Sequence, residues 1–141
     1  EEASGRRVDA LVGLLQVGDE DEKADVAATL QELAMDAESS VAIAAAGGIE
    51  VLVSLARDGN EGQKERAAGT LWNLSADHDN SVAIVAAGGI EVFMSLARDG
   101  NEMQKVLAAG ALWSLSKNAD NDAAIAAAGG IEVFMSLARD G

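Results

Sequence analysis

The sequence predicts an all-α solenoid, a stack of similar helical repeats, and two observations lead to this fold class. The segment GGIEVFMSLARDG at residues 88–100 recurs letter for letter at 129–141 and, with two changes, at 47–59. The copies are 41 residues apart (129 − 88 = 88 − 47 = 41), a period typical of stacked supersecondary units. Proline is absent and the only aromatic residues are two Trp and two Phe, a composition that suits packed helices better than strands.

The 41-residue period divides the chain, 1–141, into four units of one continuous array. A divergent N-terminal unit covers 5–46, two close copies cover 47–87 and 88–128, and an incomplete unit covers 129–141. Because a repeat contacts only its neighbours, we expect the core to be a strip that runs along the stack.

Each full unit contains a short helix that ends at a glycine corner. In the second unit the apolar segment 81–87 follows Asp79 and Asn80, whose side chains can accept from the N–H groups of a starting helix. The glycine pair 88–89 permits a left-handed residue and a sharp turn. The segment 90–98 then resumes with apolar residues at helical spacing, which predicts a second helix.

A third, longer helix completes each unit. It begins at Asn101, with Gln104 three positions on, which is the pattern of a capping box, and it extends to Ser116 or Lys117. Each unit is therefore expected to contain a short, a medium and a long helix. The same start motif stands at 60–63 and 19–22.

The stretch GGIEVLVSLARDGNEGQKERAAGTLWNLS at 47–75 resembles the armadillo repeat in its length, its glycine corner and the LWNLS-like end of its third helix. The resemblance covers nearly the whole chain and implies a right-handed α-solenoid of about three and a third repeats. HEAT repeats usually have two helices and lack this corner, so they fit less well. The resemblance implies a non-enzymatic scaffold that binds a protein or an extended peptide in a concave groove lined by the third helices.

Armadillo arrays grip the main chain of an extended peptide through a ladder of asparagines. In the register of this chain, the ladder positions are Asn73, Ser114 and Glu32. Importin-alpha-like arrays also carry a Trp four residues before the Asn, where this chain has Gly69 and Gly110. The resemblance therefore does not imply a generic reader of nuclear-import signals.

Trp72 and Trp113 lie three residues after those glycines and so share roughly the same helical face. Two hypotheses fit them: the indoles either wedge into the core between repeats or form an aromatic platform on the groove floor. Gly69 and Gly110 each destabilise a helix by about 1 kcal/mol relative to alanine. Either the close approach of a neighbouring helix or room for a ligand side chain next to Trp72 or Trp113 offsets this loss.

The third-helix positions that differ between the two close copies mostly step by three or four residues and trace one stripe. We expect the identical positions to pack and the differing ones, including the pair Thr70 and Ala111, to face outward. The outward stripe, apolar at Val106, is interpreted as an interaction surface, with drift on an unconstrained face as the alternative. The candidate groove residues are Glu32, Arg66, Gly69, Trp72, Asn73, Met103, Leu107, Gly110, Trp113, Ser114 and Lys117.

The incomplete fourth unit supports an alternative function. Its second helix repeats an internal sequence without the polar outer face that terminal repeats usually carry. We expect a homodimer that associates through this C-terminal end, as a structural scaffold or as an engineered or fragmentary repeat protein. The candidate contact residues are Ile131, Phe134, Met135 and Leu137.

Composition also limits the partners and the chemistry. A net charge of −14 disfavours nucleic-acid binding and favours a basic partner. No uncharged apolar stretch reaches the length of a membrane span. The absence of cysteine only weakly favours an intracellular location, in the cytoplasm or nucleus. His78, the single histidine, is expected in an exposed loop between repeats, and we expect no catalytic residue, no metal site and no cofactor.

Overall fold

The computed structural model describes residues 2–130, 132, 133 and 135. The described residues are helical apart from short turns and contain no strand, so the all-α solenoid fold is confirmed. Residues 130, 132, 133 and 135 are also helical. The helices are α1 (Glu2–Val17), α2 (Glu20–Leu33), α3 (Ala37–Ala45), α4 (Gly48–Asp58), α5 (Glu61–Leu74), α6 (His78–Ala86), α7 (Gly89–Asp99), α8 (Glu102–Ser116) and α9 (Asp122–Ala127), the last preceded by a 3-10 turn at Ala119–Asn121.

The short first helices begin earlier than the sequence suggested. Helix α6 begins at His78, and its N-cap is Asp77, whose carboxylate accepts from the backbone N–H of Asn80 at 2.9 Å. The predicted start after Asp79 and Asn80 is therefore wrong, as is the loop position of His78. Several acceptors in a row could cap this helix, and only the backbone path decides which one does.

The glycine corners were correctly located. Gly47, Gly88 and Gly129 have φ values of 81°, 90° and 87°, in the left-handed region that glycine adopts without steric strain. Each corner turns the chain sharply, so α3 and α4 are bent by 82° and α6 and α7 by 77°. No single helix of the described chain is long and apolar enough to cross a membrane, and these two bent pairs satisfy such a test only when both members are taken together.

Capping boxes begin α2, α5 and α8, the third helices of the repeats, as expected. The side chains of Asp19, Asn60 and Asn101 each accept from the backbone N–H three residues on, at 2.8 to 2.9 Å. Gln104 of the last box also donates from Nε2 to Glu61 Oε1 at 2.9 Å. The caps therefore join neighbouring repeats as well as starting each helix.

The core is a strip that runs through the stack. The same leucine position is fully buried in three successive repeats, at Leu30, Leu71 and Leu112, and the first helices bury Ile43 and Ile84 in the same periodic way. Helix α5 packs against both α2 and α8, so the three third helices form one layer. This layer carries the candidate binding residues.

Candidate functional site

One row of side chains on each long helix faces away from the core. The rows are equivalent under the 41-residue period, and together they make a surface that crosses α2, α5 and α8. We call it the third-helix surface. Its exposed or half-buried members are Asp21, Asp25, Glu32, Arg66, Trp72, Asn73, Met103, Val106, Leu107, Trp113, Ser114 and Lys117.

Trp72 lies over Gly110 of the next repeat. A Cβ atom at Gly110 would stand 2.5 Å from Cζ2 and 2.6 Å from Cζ3 of the indole, so only glycine admits the ring at this position. Gln31, one repeat earlier, lies over Gly69 in the same way, with Nε2 2.5 Å from the corresponding Cβ position. Packing against the preceding repeat therefore explains both glycines. The close neighbour is a side chain of the preceding repeat rather than a helix backbone.

Neither tryptophan belongs to the buried core, although the ring of Trp72 packs between repeats on Gly110. Trp72 is 38% exposed and Trp113 is 62% exposed. The leucines beside them, Leu71 and Leu112, point inward and fill the space between repeats. Because a helix turns by about 100° per residue, each Trp points to a different side of its helix from the buried leucine before it.

The ladder positions take part in contacts between repeats. The amide of Asn73 donates from Nδ2 to the backbone oxygen of Gln31 at 2.9 Å, which leaves Oδ1 as its open acceptor. Ser114 accepts from Ser75 Oγ at 2.7 Å. Glu32 is exposed on α2. The three positions line up across the stack as the register requires, but Asn73 and Ser114 already stabilise it.

The stripe of differing positions faces outward only in part. Met103, Val106 and Arg66 are exposed, whereas Thr70 and Ala111 are fully buried, which corrects the expectation for that pair. Thr70 is accommodated in the core because its Oγ1 lies within hydrogen-bonding distance of a backbone oxygen of its own helix, at 2.7 Å, and of one in the preceding repeat, at 3.0 Å, so its single hydroxyl hydrogen has an acceptor. A hydroxyl with satisfied hydrogen bonds can replace alanine there.

Two acidic residues of the third-helix surface were missed from the sequence. Asp21 and Asp25 occupy the positions equivalent to Met103 and Leu107 two repeats later (21 + 82 = 103; 25 + 82 = 107). Both are exposed. A position-by-position comparison of the divergent first unit with the third unit, in the 41-residue register, would have identified them.

The single histidine lies among exposed acidic side chains. His78 lies 3.6 Å from Asp79 and 3.7 Å from Asp120, and all three side chains are exposed. Over the part of the chain that the structure describes, no group of three or more His, Cys, Asp or Glu side chains is placed to hold a metal ion. A shallow cavity of about 340 Å³ between α1, α2 and α4 is lined by Leu15, Gln16, Lys23, Glu50, Val51, Ser54 and Leu55.

The proposed dimer contact can be assessed at one of its residues. Met135 is 60% exposed, whereas Met94, its equivalent in the identical segment one repeat earlier, is 2% exposed. Ile131, Phe134 and Leu137 lie outside the described residues. The one described member is thus accessible.

The fold is similar to that of several engineered proteins of known structure. The crystal structure of an engineered protein from the Northeast Structural Genomics Consortium superposes with a TM-score of 0.89 at 34% identity, over 93% of this chain and 54% of the other. A designed armadillo repeat protein superposes with a TM-score of 0.90 at 20% identity, over 95% of this chain and 58% of the other. A second designed armadillo repeat protein, in complex with peptide (KR)4, superposes with a TM-score of 0.72 at 21% identity, over 76% of this chain and 46% of the other. The chain spans about half the length of these structures.

The sequence itself identifies the family. The Armadillo/beta-catenin-like repeat profile matches residues 36–76 and 77–117, which is 82 of 141 residues (41 + 41). The two matches are 41 residues apart, and each begins at the N-cap of a first helix. The comparison with curated proteins finds no match. The fold, the repeat length and the profile agree, and the chain belongs to the armadillo repeat family.

Proposed function

We propose that the chain is a non-enzymatic scaffold that binds a protein segment or an extended peptide on the third-helix surface. The observation that carries this proposal is the line of large apolar side chains on α8. Met103, Val106 and Trp113 are all more than half exposed, and their spacing of three and then seven residues puts them on the same side of α8. Trp and Met are enriched at protein interfaces, and contiguous exposed apolar surface is characteristic of binding sites.

The rigidity of the surface supports the same function. The long helices are fixed at their starts by capping boxes, and they are joined side by side by the bonds of Gln104 to Glu61 and of Asn73 to Gln31. A surface that is already ordered loses little entropy when a ligand binds. The net charge of −14 favours a basic ligand, and one designed armadillo repeat protein of the same fold is in complex with peptide (KR)4.

A displayed library of extended peptides tests this function. Clones selected on the native protein should bind it and lose at least about tenfold in affinity on Val106→Asp, because the charge would be desolvated under the ligand. The matched control is Val82→Asp, a substitution of the same kind at an exposed valine on α6. If no clone is enriched, or if both variants retain the enriched clones equally, the third-helix surface is not the binding site.

Self-association through the C-terminal end is a second candidate function, supported by the exposure of Met135. Fully burying a methionine side chain contributes about 1.5 to 3 kcal/mol, so burying one from each end of an isologous contact would offset part of the entropic cost of association. Light scattering at tens of micromolar should then give a mass of about 29 kDa, twice the 14.4 kDa of the chain. Met135→Lys should restore the monomer. A monomeric mass for the native protein eliminates this candidate.

A further inference from the structure

The α2 end of the third-helix surface is acidic. Its exposed charged members are Asp21, Asp25 and Glu32, three negative charges with no positive one. Within the described part of the chain, none of these carboxylates forms an ion pair. Met35, the large exposed apolar side chain in this row, lies beyond the last residue of α2. A bound segment would therefore meet unneutralised negative charge along the length of α2.

The α5 row is close to neutral. Arg66 is exposed, and the neighbouring Glu65 is half-buried and accepts a hydrogen bond from Asn101 Nδ2 at 2.9 Å. The two charges are of opposite sign and adjacent in sequence. The middle of the surface thus favours neither an acidic nor a basic ligand, and Trp72 is its largest exposed group.

The α8 end is apolar at the positions where α2 is acidic. Met103 stands where α2 has Asp21, and Leu107 stands where α2 has Asp25. Val106 is 61% exposed and adds to this apolar patch. The charged member of the row, Lys117, is a cation at the C-cap of the helix. A basic side chain would gain nothing here, whereas an apolar one would remove this surface from water.

A short segment can reach both ends. Packed helices lie about 8 to 10 Å apart, so α2 and α8, which are separated by α5, are about 20 Å apart. An extended chain advances about 3.3 Å per residue and crosses this distance in about six residues. A ligand of about ten residues would then cover the whole surface.

We propose that the ligand is an extended protein segment with a basic half and an apolar half, bound with its basic half over α2 and its apolar half over α8. The proposal rests on the proposed function, because it names the ligand class of the same surface. Charge complementarity at α2 fixes the position of the Lys or Arg residues. Contact with Met103, Val106 and Trp113 fixes the position of the aliphatic or aromatic ones.

Four synthetic peptides of about ten residues test the ligand class. One has Lys and Arg at its N-terminal half and Leu and Phe at its C-terminal half, the second has the reverse order, the third is entirely basic, and the fourth alternates the two kinds. One of the two ordered peptides should bind at least about tenfold more tightly than the basic and the alternating peptides, because only it matches both ends of the surface. Its affinity should fall with added salt, as expected for its charged half.

Two variants separate the two halves of the surface. Asp25→Lys should lower the affinity for the preferred peptide about tenfold and remove most of its salt dependence. Val106→Asp should lower the affinity by the same factor but leave its salt dependence unchanged. Glu38→Lys on α3 makes the same change in net charge as Asp25→Lys at an exposed position outside the third-helix surface. It is the matched control and should leave the affinity within about twofold.

The orientation of the bound segment is measured directly by fluorescence. In Trp72→Phe the remaining indole is Trp113 on α8. A quencher on the apolar end of the peptide should reduce its emission more than a quencher on the basic end. Equal affinity of the basic and the ordered peptides, or stronger quenching from the basic end, overturns the proposal while the binding function stands. If no library clone or peptide binds at all, the proposed function itself is wrong.

Discussion

Trp72 and Trp113 are the same residue at the same position of successive repeats, yet Trp113 is much more exposed. The ring of Trp72 lies on Gly110 of the next repeat, whereas no described residue stands in that place for Trp113. The rest of each local sequence, ALWSLS and TLWNLS, is closely similar. The environment of the indole is therefore decided by the following repeat and not by the helix that carries it.

Met94 and Met135 show the same effect in identical segments. Met94 is buried, whereas Met135 is mostly exposed. In a solenoid each unit supplies half of an interface, so a residue is a core residue or a surface residue according to its neighbour. Surface that is covered in the middle of the stack is accessible at the C-terminal end of the described residues. Trp113 is therefore exposed and extends the apolar patch formed by Met103 and Val106 on α8.

The largest expected effect is a difference in stability between Trp72→Ala and Trp113→Ala. Trp72→Ala removes the packing on Gly110 and should lower the free energy of unfolding by about 1 to 2 kcal/mol, less than for a fully buried Trp because the ring is partly exposed. Trp113→Ala should lower it by about 0.5 kcal/mol or less, as is usual for a surface residue. Urea unfolding of both variants measures the difference. Equal losses of unfolding free energy would show that the packing of Trp72 on Gly110 contributes no stability beyond that of the exposed Trp113.

A double-mutant cycle sharpens the comparison. Gly110→Ala should destabilise the native protein by about 1 kcal/mol, because the new methyl group displaces the indole of Trp72. In the Trp72→Ala background the same change should stabilise by up to about 1 kcal/mol, since alanine is the better helix former. The coupling free energy is then about 2 kcal/mol. If Gly110→Ala has the same effect in both backgrounds, Trp72 does not determine the glycine.

Loss of the bond from Asn73 to Gln31 should have a smaller effect. Asn73→Ala is expected to lower the free energy of unfolding by about 0.5 to 1.5 kcal/mol, the range for one hydrogen bond between repeats. Asn73→Asp serves as a control of similar size that replaces the donor with an acceptor. Were both variants as stable as the native protein, Asn73 would be available to a ligand rather than engaged between α2 and α5.

The smallest effect is expected at Gly69, which faces a flexible side chain. Gly69→Ala meets the amide end of Gln31, which can move at little cost, so the gain in helix propensity should nearly offset the contact. The change in the free energy of unfolding should be within about 0.5 kcal/mol. A loss of stability as large as that for Gly110→Ala would show that the cost depends on the glycine position itself and not on the kind of side chain that faces it.

The sequence was sufficient for features that depend on local chemistry. The capping boxes at Asn60 and Asn101 and the left-handed Gly88 follow from residues next to one another, and the buried leucines follow from helical periodicity. The start of α6 at His78 was missed because several side chains in a row can cap a helix, and the sequence does not rank them.

The positions of the tryptophans could not be derived from one helix alone. The position of Trp72 depends on Gly110 in the next repeat, 38 residues later. Gln31 and Gly69 form an equivalent pair with the same spacing (110 − 72 = 69 − 31 = 38). That recurring spacing was present in the sequence. Its meaning needed the relative position of two helices, which only the structure supplies.

Quenching of the two indoles in separate single-tryptophan variants tests the account most directly. Trp113 emission in Trp72→Phe and Trp72 emission in Trp113→Phe are titrated with acrylamide, with and without a saturating peptide selected on the native protein. Without peptide, acrylamide should quench Trp113 more strongly than Trp72. The bound peptide should reduce the quenching of Trp113 more than that of Trp72. Equal quenching of the two indoles, or a bound peptide that leaves Trp113 as accessible as before, would contradict the account.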